Sequence, residues 1–303
     1  MISLRYHALS LCAVFLALAV GVVLGASGVS DRLLSAVSSE RDDLGEQVLA
    51  LGQERDDLAA AARAAGEFAQ RVGPAAVRGT LDGQTVVLVT SAADAGDRDA
   101  VTQLVGQAGG VVTGEVALTP AVGDPARADQ LRELTAGLLP AGAQLPASAD
   151  TGSLLGGLLG GSLYAGADPA AAAGVLSGLA AGGFVAPGDP PAPAGLVLVL
   201  TGGALEGVDA ADAAAVLART AAELDRAGPG AVLAGRTGSA DSTGAVGVAR
   251  ADPAVTALLS TVDDVQSGPG RVSAVLALRE QLDGRAGRYG TAATAADGAA
   301  PAA

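Results

Sequence analysis

The stretch TVVLVT, Thr85 to Thr90, has a counterpart in LVLVLT, Leu196 to Thr201. Each run is nearly continuous in valine and leucine and too short for a core helix. A strand apolar on both faces belongs inside a parallel sheet that is covered on both sides. Working outward from this pair, short apolar runs alternate with helical stretches, which predicts an α/β domain with a mainly parallel sheet. Strands are also expected at Val111 to Leu118 and Ala231 to Ala234, with weaker candidates at Val246 to Ala249 and Thr261 to Val265. Helices are expected at Asp97 to Ala108, Ala126 to Leu138, Asp209 to Ala227 and Val272 to Leu282. The domain so defined covers 80–290, and the tail TAATAADGAAPAA, 291–303, has the composition of a disordered segment. Ala141 to Pro193 is rich in Ala, Gly and Pro. Its run LLGGLLGGSLYA is too short and too broken by glycine to span a bilayer, and predicts a core or surface helix.

Upstream of the domain the chain opens MISLRYHALSLCAVFLALAVGVVLG. Residues 8–25 carry no charge and approach the roughly 20 apolar residues that cross a bilayer as a helix. The run is long for a signal peptide, and helical sequence follows it without a spacer, so it is expected to be a retained anchor. A cleaved signal-like segment, with weak sites at Ala17-Leu18-Ala19 or Val23-Leu24-Gly25, is the alternative. Arg5 precedes the span, while the balanced pair Asp31 and Arg32 follows it, so 1–7 is expected in the cytoplasm and the bulk of the chain outside it.

The pentad ERDDL occurs at Glu40 to Leu44 and again at Glu54 to Leu58, an offset of 54 − 40 = 14 residues, or two heptads. This is the period of a coiled coil, expected as a stalk over 31–72. In one register Leu34, Arg41, Val48, Arg55, Ala62 and Ala69 fall at a, and Val37, Leu44, Leu51, Leu58, Ala65 and Val72 at d. Every d residue is apolar. Arg at two a positions lowers stability but favours one register, and each can extend toward Glu40 or Glu54 at the preceding g of a parallel partner. The helix would be on the order of 60 Å long at 1.5 Å rise per residue. Within the span, Gly21 and Gly25 form a small-residue pair that permits close helix approach in lipid. The expected dimer seam is therefore Gly21, Gly25, Leu34, Val37, Arg41, Leu44, Val48, Leu51, Arg55 and Leu58, giving a homodimer or higher oligomer. A monomer whose stalk packs on its own domain is the alternative.

Composition narrows the chemistry further. Half of the 303 residues are hydrophobic, but with three Phe, three Tyr and no Trp the core must be built from small aliphatics. All 18 basic residues are Arg, and the net charge is −14. A nucleic-acid or anionic-lipid surface needs a basic patch, so neither partner is expected, whereas a membrane and an envelope protein are. Met1, His7 and Cys12 are the only Met, His and Cys, and hence the only soft metal-ligand candidates. Everything beyond the anchor lacks disulfides, imidazole bases and thiol nucleophiles. No cofactor is expected.

Four motifs invite a catalytic or binding reading. Gly230 to Thr237, GAVLAGRT, departs from a phosphate loop by having Arg where Lys belongs, and its middle looks like a strand instead of a loop entering a helix. The turn Thr201-Gly202-Gly203 follows a strand where doubly wound sheets bind ligands, but close packing explains such glycines more simply. Ser91 and Ser239 have no distal His to activate them, which excludes a Ser-His-Asp hydrolase. Asp263 and Asp264, or Asp209 and Asp212, could pair for glycosidic chemistry, yet no second motif supports either pair over an acidic surface. No enzyme is expected.

The opening segment, the stalk after it, TVVLVTS, and the closing STVDDVQSGPGRVSAVLALREQLDGRAGRYG together resemble the mycobacterial copper transport protein B family of actinobacterial envelope proteins. The resemblance runs from Met1 to Gly290 and is strongest at both ends. It implies a role in copper efflux or homeostasis, and the family's description as an outer-membrane channel. Copper(I) prefers thiolates and thioethers and copper(II) imidazole. With those groups confined to the first twelve residues, no copper site carries over residue by residue. A transmembrane barrel needs repeated alternating strands with aromatic girdles, which this chain does not supply. The competing functional reading is a non-catalytic coiled-coil scaffold that recruits or regulates a peptidoglycan-remodelling or division partner.

Overall fold

The computed structural model of the chain describes residues 4–26, 29–139 and 150–302, with backbone only for 24, 26 and 29–36. Met1 lies outside the described residues, as do the side chain of Leu34 and the start of the Ala-, Gly- and Pro-rich segment. The chain divides into two compact units, 1–63 and 64–303.

The first unit is helical. Helix α1, Leu4–Ala26, contains 20 residues, Leu4–Val23, that are long and apolar enough to cross a membrane, and none of them is buried within the chain. Helix α2, Val29–Ala76, is one continuous helix of 48 residues that continues into the second unit. It outruns the expected stop at Gly73-Pro74 by one turn, and the Val77 amide still donates to the Gly73 carbonyl at 3.0 Å.

The second unit is a doubly wound sheet. Along the chain follow β1 (Thr85–Ser91), α3 (Ala95–Gln107), β2 (Val111–Leu118), α4 (Ala128–Gly137), α5 (Thr151–Leu163), α6 (Pro169–Ala181), β3 (Leu196–Thr201) and α7 (Ala210–Ala227). Then come β4 (Ala231–Gly235), α8 (Ala245–Ala251), α9 (Pro253–Thr256), β5 (Ser260–Val262), α10 (Gly268–Leu282) and β6 (Arg288–Tyr289). All six strands are parallel, in the order β2-β1-β3-β4-β5-β6. The direction of winding reverses between β1 and β3.

The period of two in TVVLVT and LVLVLT divides each run between two cores. Val87, Val89, Val197 and Val199 face α5, α7 and α8, whereas Val86, Leu88, Leu198 and Leu200 face α3 and α10. The LLGGLLGG segment is the buried helix α5, and its glycines explain how it packs. A Cβ at Gly152, Gly156 or Gly160 would lie 2.4–2.6 Å from atoms of α7, so only a bare backbone permits this approach.

The sequence reading needs correction at four places. Val246 to Ala249 is not a strand but lies in α8, where Ala245, Val246 and Ala249 share the buried face at helical spacing. The strand expected at Thr261 to Val265 stops at Val262, because Asp263 turns into an ion pair with Arg250. Strand β6, only two residues long, had no pattern to reveal it. Finally, the tail from Thr291 is ordered against the domain: the Gly290 amide donates to the Gly298 carbonyl at 2.7 Å, and Ala300 is buried in the α3/α10 core.

Candidate functional site

Ligands of doubly wound sheets bind beyond the carboxyl ends of the strands, where the winding reverses. At that place a cavity of about 410 Å³ opens beside the ends of β1, β2 and β3. Ser91, Ala92 and Thr119 line it with Val122, Leu205 and Leu217, and Glu206 and Asp209 lie at the wall. Its size falls within the range of small-molecule pockets. Ala92 holds φ 51, the one non-glycine residue with positive φ among the described residues.

Across the end of the sheet lies a charged cluster. Asp94 caps α3, accepting from the amides of Gly96 (2.9 Å) and Asp97 (3.3 Å). Asp97 is buried, and Arg271 Nη2 donates to its Oδ1 at 2.7 Å. Arg236 reaches Asp97 Oδ2 and Asp94 Oδ2, both at 3.3 Å. Two arginines thus meet two aspartates, and the charges balance. Arg271 and Asp97 are far apart in sequence, so no local pattern announced the cluster. The only hint was SAADAGD directly after β1, with Asp94 placed to cap a helix.

Ala231 to Gly235 within GAVLAGRT is the fully buried strand β4, and Arg236 is engaged with aspartates, so no phosphate loop forms. The turn after β3 is close packing: the Gly202 amide donates to the Ser91 carbonyl at 3.2 Å, and a Cβ at Gly203 would lie 2.7 Å from the Thr237 carbonyl oxygen. Ser91 lines the cavity, while Ser239 is fully buried and its Oγ, like Thr201 Oγ1, has no hydrogen-bond partner among the described residues.

Asp263 and Asp264 are neighbours with different environments. The Asp263 side chain is 2% exposed and pairs with the Arg250 side chain, also 2% exposed, at 2.5 Å. Arg250 further donates to Thr261 Oγ1 (3.0 Å), Thr294 Oγ1 (3.1 Å) and the Tyr289 carbonyl (2.7 Å). Asp263 Oδ1 also accepts from the amides of Thr291 (2.8 Å) and Ala292 (3.2 Å), which ties down the tail. Burial pushes the Asp264 carboxyl above the usual carboxylate range, and the nearby Asp263 charge adds to this, against a hydrogen bond from Ser267. Asp263 is therefore a structural clamp. Asp209, at the wall of the cavity, and Asp212 stand at the start of α7.

The soft-ligand candidates His7 and Cys12 lie on α1, and both are exposed. Five residues apart, they point about 140° away from each other at 3.6 residues per turn, so a single helix does not bring them together. Among the described residues no group of three or more His, Cys, Asp or Glu could hold a metal ion. Of the seam residues, Val37, Leu44, Val48, Leu51 and Leu58 are exposed along α2 together with Arg41 and Arg55. Beyond the helix's own turn, Gly21 and Gly25 on α1 have no atom of the described residues within 4 Å of a would-be Cβ.

The architecture is that of an apolar N-terminal helix followed by a doubly wound α/β domain. The chain belongs to the family described as "Copper transport outer membrane protein, MctB", whose model matches residues 1–300. It is 45% identical over 305 residues to the copper transporter MctB of Mycobacterium tuberculosis H37Rv, with 96% of each chain covered. It is 42% identical over 307 residues to the protein of that name from Mycobacterium leprae, again with 96% of each covered. The family and the apolar helix α1 support a membrane-associated envelope protein. The family description is one of transport, not of an enzyme class.

Proposed function

We propose that this chain acts in copper efflux or homeostasis at the cell envelope. It would do so without catalysis, held by α1 with its N-terminus in the cytoplasm and its α/β domain outside, and with copies associated through α2. The observation that carries this reading is the similarity along almost the whole chain to relatives named copper transporters. Similarity confined to the doubly wound domain would speak only to fold. The relatives' names give the scaffold reading no comparable support.

Copper enters here as cargo. Any contact between copper(I) and a soft ligand falls on Met1, His7 or Cys12, since no thiol, thioether or imidazole occurs after residue 12. The α/β domain would therefore serve through shape, charge or association, not by holding the metal on soft donors. The test is growth of a deletion strain on graded copper. Copper sensitivity of the deletion strain that the full chain reverses supports the proposal, and unchanged tolerance on deletion rejects it.

A further inference from the structure

We propose that α2 pairs with α2 of a second copy of this chain as a parallel, in-register, two-stranded coiled coil running from Val37 to Ala65. In it Arg41 and Arg55 form ion pairs across the seam with Glu40 and Glu54 of the partner subunit. This rests on the reading that copies associate through α2, and adds the direction, register, extent and strand number of that association.

The face is exposed among the described residues. Leu44, Leu51 and Leu58 at d are 54%, 64% and 64% exposed, values of water-facing side chains in three successive heptads of the seam. An apolar d row sustained over four heptads exceeds what an isolated surface helix needs, and is the pattern that a second helix covers.

The e positions supply an independent sign. They are occupied by Ser38, Gly45, Gly52 and Ala59. Glycine inside an exposed helix costs stability relative to alanine, yet beyond the helix's own turn nothing among the described residues lies within 4 Å of a Cβ built at Gly45 or Gly52. In a parallel pair, each d side chain enters a hole on the facing helix whose wall includes the e residue. Glycine there widens the hole that receives Leu44 or Leu51 and lets the helices approach.

The charges set the register. An a side chain enters a hole bounded by the preceding g residue of the partner helix. Glu40 precedes Arg41, and Glu54 precedes Arg55, so both arginine layers bring two carboxylates to two guanidinium groups. In the single chain Arg55 turns instead to Asp56 at 2.7 Å, an exposed pair of little worth that is free to exchange. Slipping one helix by a heptad would set Arg41 against Val48 and remove its carboxylate. An antiparallel pair would line up Glu40 and Glu54 with their own kind along the g–g edge. Because α1 precedes α2 in both copies, a shared membrane would also start both helices from the same side.

The extent follows from the chain's own domain. A Cβ at Gly268 would lie 2.8 Å from the Ala69 Cβ and 3.1 Å from the Gly66 carbonyl oxygen. The start of α10 thus covers the helix where the next a position falls, so the seam ends at Ala65 and not at Val72.

The test uses the full chain in detergent micelles with Cys12→Ser as background. Light scattering is expected to give the mass of two copies. Oxidation of Leu44→Cys chains, and separately of Leu51→Cys chains, is expected to give nearly complete disulfide dimers, whereas mixed Leu44→Cys and Leu58→Cys chains give no mixed crosslink. Arg41→Glu with Arg55→Glu should raise the dissociation constant at least about tenfold, because each layer then holds only carboxylates. Adding Glu40→Arg and Glu54→Arg should bring it back to within about threefold of the starting value. A monomer would overturn both the association through α2 and this inference. A trimer, a dimer without the 44–44 and 51–51 crosslinks, or a charge exchange that fails to restore affinity would overturn the inference while leaving association standing.

Discussion

Replacing Asp263 by alanine isolates the buried arginine at the heart of the C-terminal half. The side chains of Arg250 and Asp263 are each 2% exposed, and the substitution leaves the guanidinium without its counter-charge. It keeps hydrogen bonds to Thr261, Thr294 and Tyr289, but none of these is charged. Breaking a buried pair from one side costs about 3–5 kcal/mol. The amides of Thr291 and Ala292 lose their acceptor in the same step, so the tail should detach and let water reach Arg250, which pulls the cost toward the lower figure. Hydrogen exchange on the full chain reads both effects. The slowest amides of β1 and β3 should exchange roughly two to three orders of magnitude faster, at about 1.4 kcal/mol per tenfold. The amide of Gly290, which donates to Gly298, should lose its protection entirely. Asp264→Asn is the control, since its Oδ1 has no hydrogen-bond partner among the described residues and its burial disfavours charge, so stability at neutral pH should hold or rise. A change below about 1 kcal/mol in Asp263→Ala, or a tail still protected, would refute the clamp.

Gly156→Val should destabilise the domain by about 1–3 kcal/mol through overpacking, because a Cβ there would lie 2.6 Å from the Thr220 carbonyl oxygen, and urea unfolding measures the loss. Burial pushes the Asp225 carboxyl up from 3.8 to about 6, against the hydrogen bond from the Ala231 amide and the Arg226 charge. The folded state thus favours the protonated acid: this contribution to stability is full below about pH 3.8 and fades as pH rises through 6. Asp225→Asn keeps an acceptor for Ala231 and should flatten that decline, gaining on the order of 1–2 kcal/mol over the native chain at pH 7.5. In titrations with copper(I), full-length protein should bind through the N-terminal segment, and a 27–303 fragment should not bind through soft donors. Saturation of that fragment with the affinity of the full chain would contradict the ligand inventory.

The central strands were legible because burial on both faces writes itself as uninterrupted valine and leucine, and α5 was legible because glycine breaks rule out a span. Strand order and the pairings that hold the ends were not. GAVGVA alternates like a strand, and only the position of Arg250, reaching inward from α8, requires the helix. The tail is nearly all alanine, glycine and threonine, and its order comes from backbone amides donated to Asp263, which leave no trace in side-chain pattern. The Asp94, Asp97, Arg236 and Arg271 cluster joins the start of α3, the loop after β4 and the start of α10, so it appears only once the parallel order brings the ends of β1, β4 and β5 together. On α2 the heptads were plain in the sequence, and the contact of Gly268 with Ala69 shows where they stop being available.

The most direct test of the copper role is the metal content of cells held at a fixed sub-toxic copper level, measured by mass spectrometry in a deletion strain, in the same strain carrying the full chain, and in one carrying only 27–303. The account predicts copper accumulation in the deletion strain, a return to the parental level with the full chain, and no return with the fragment that lacks α1. Equal copper in all of these strains would contradict it.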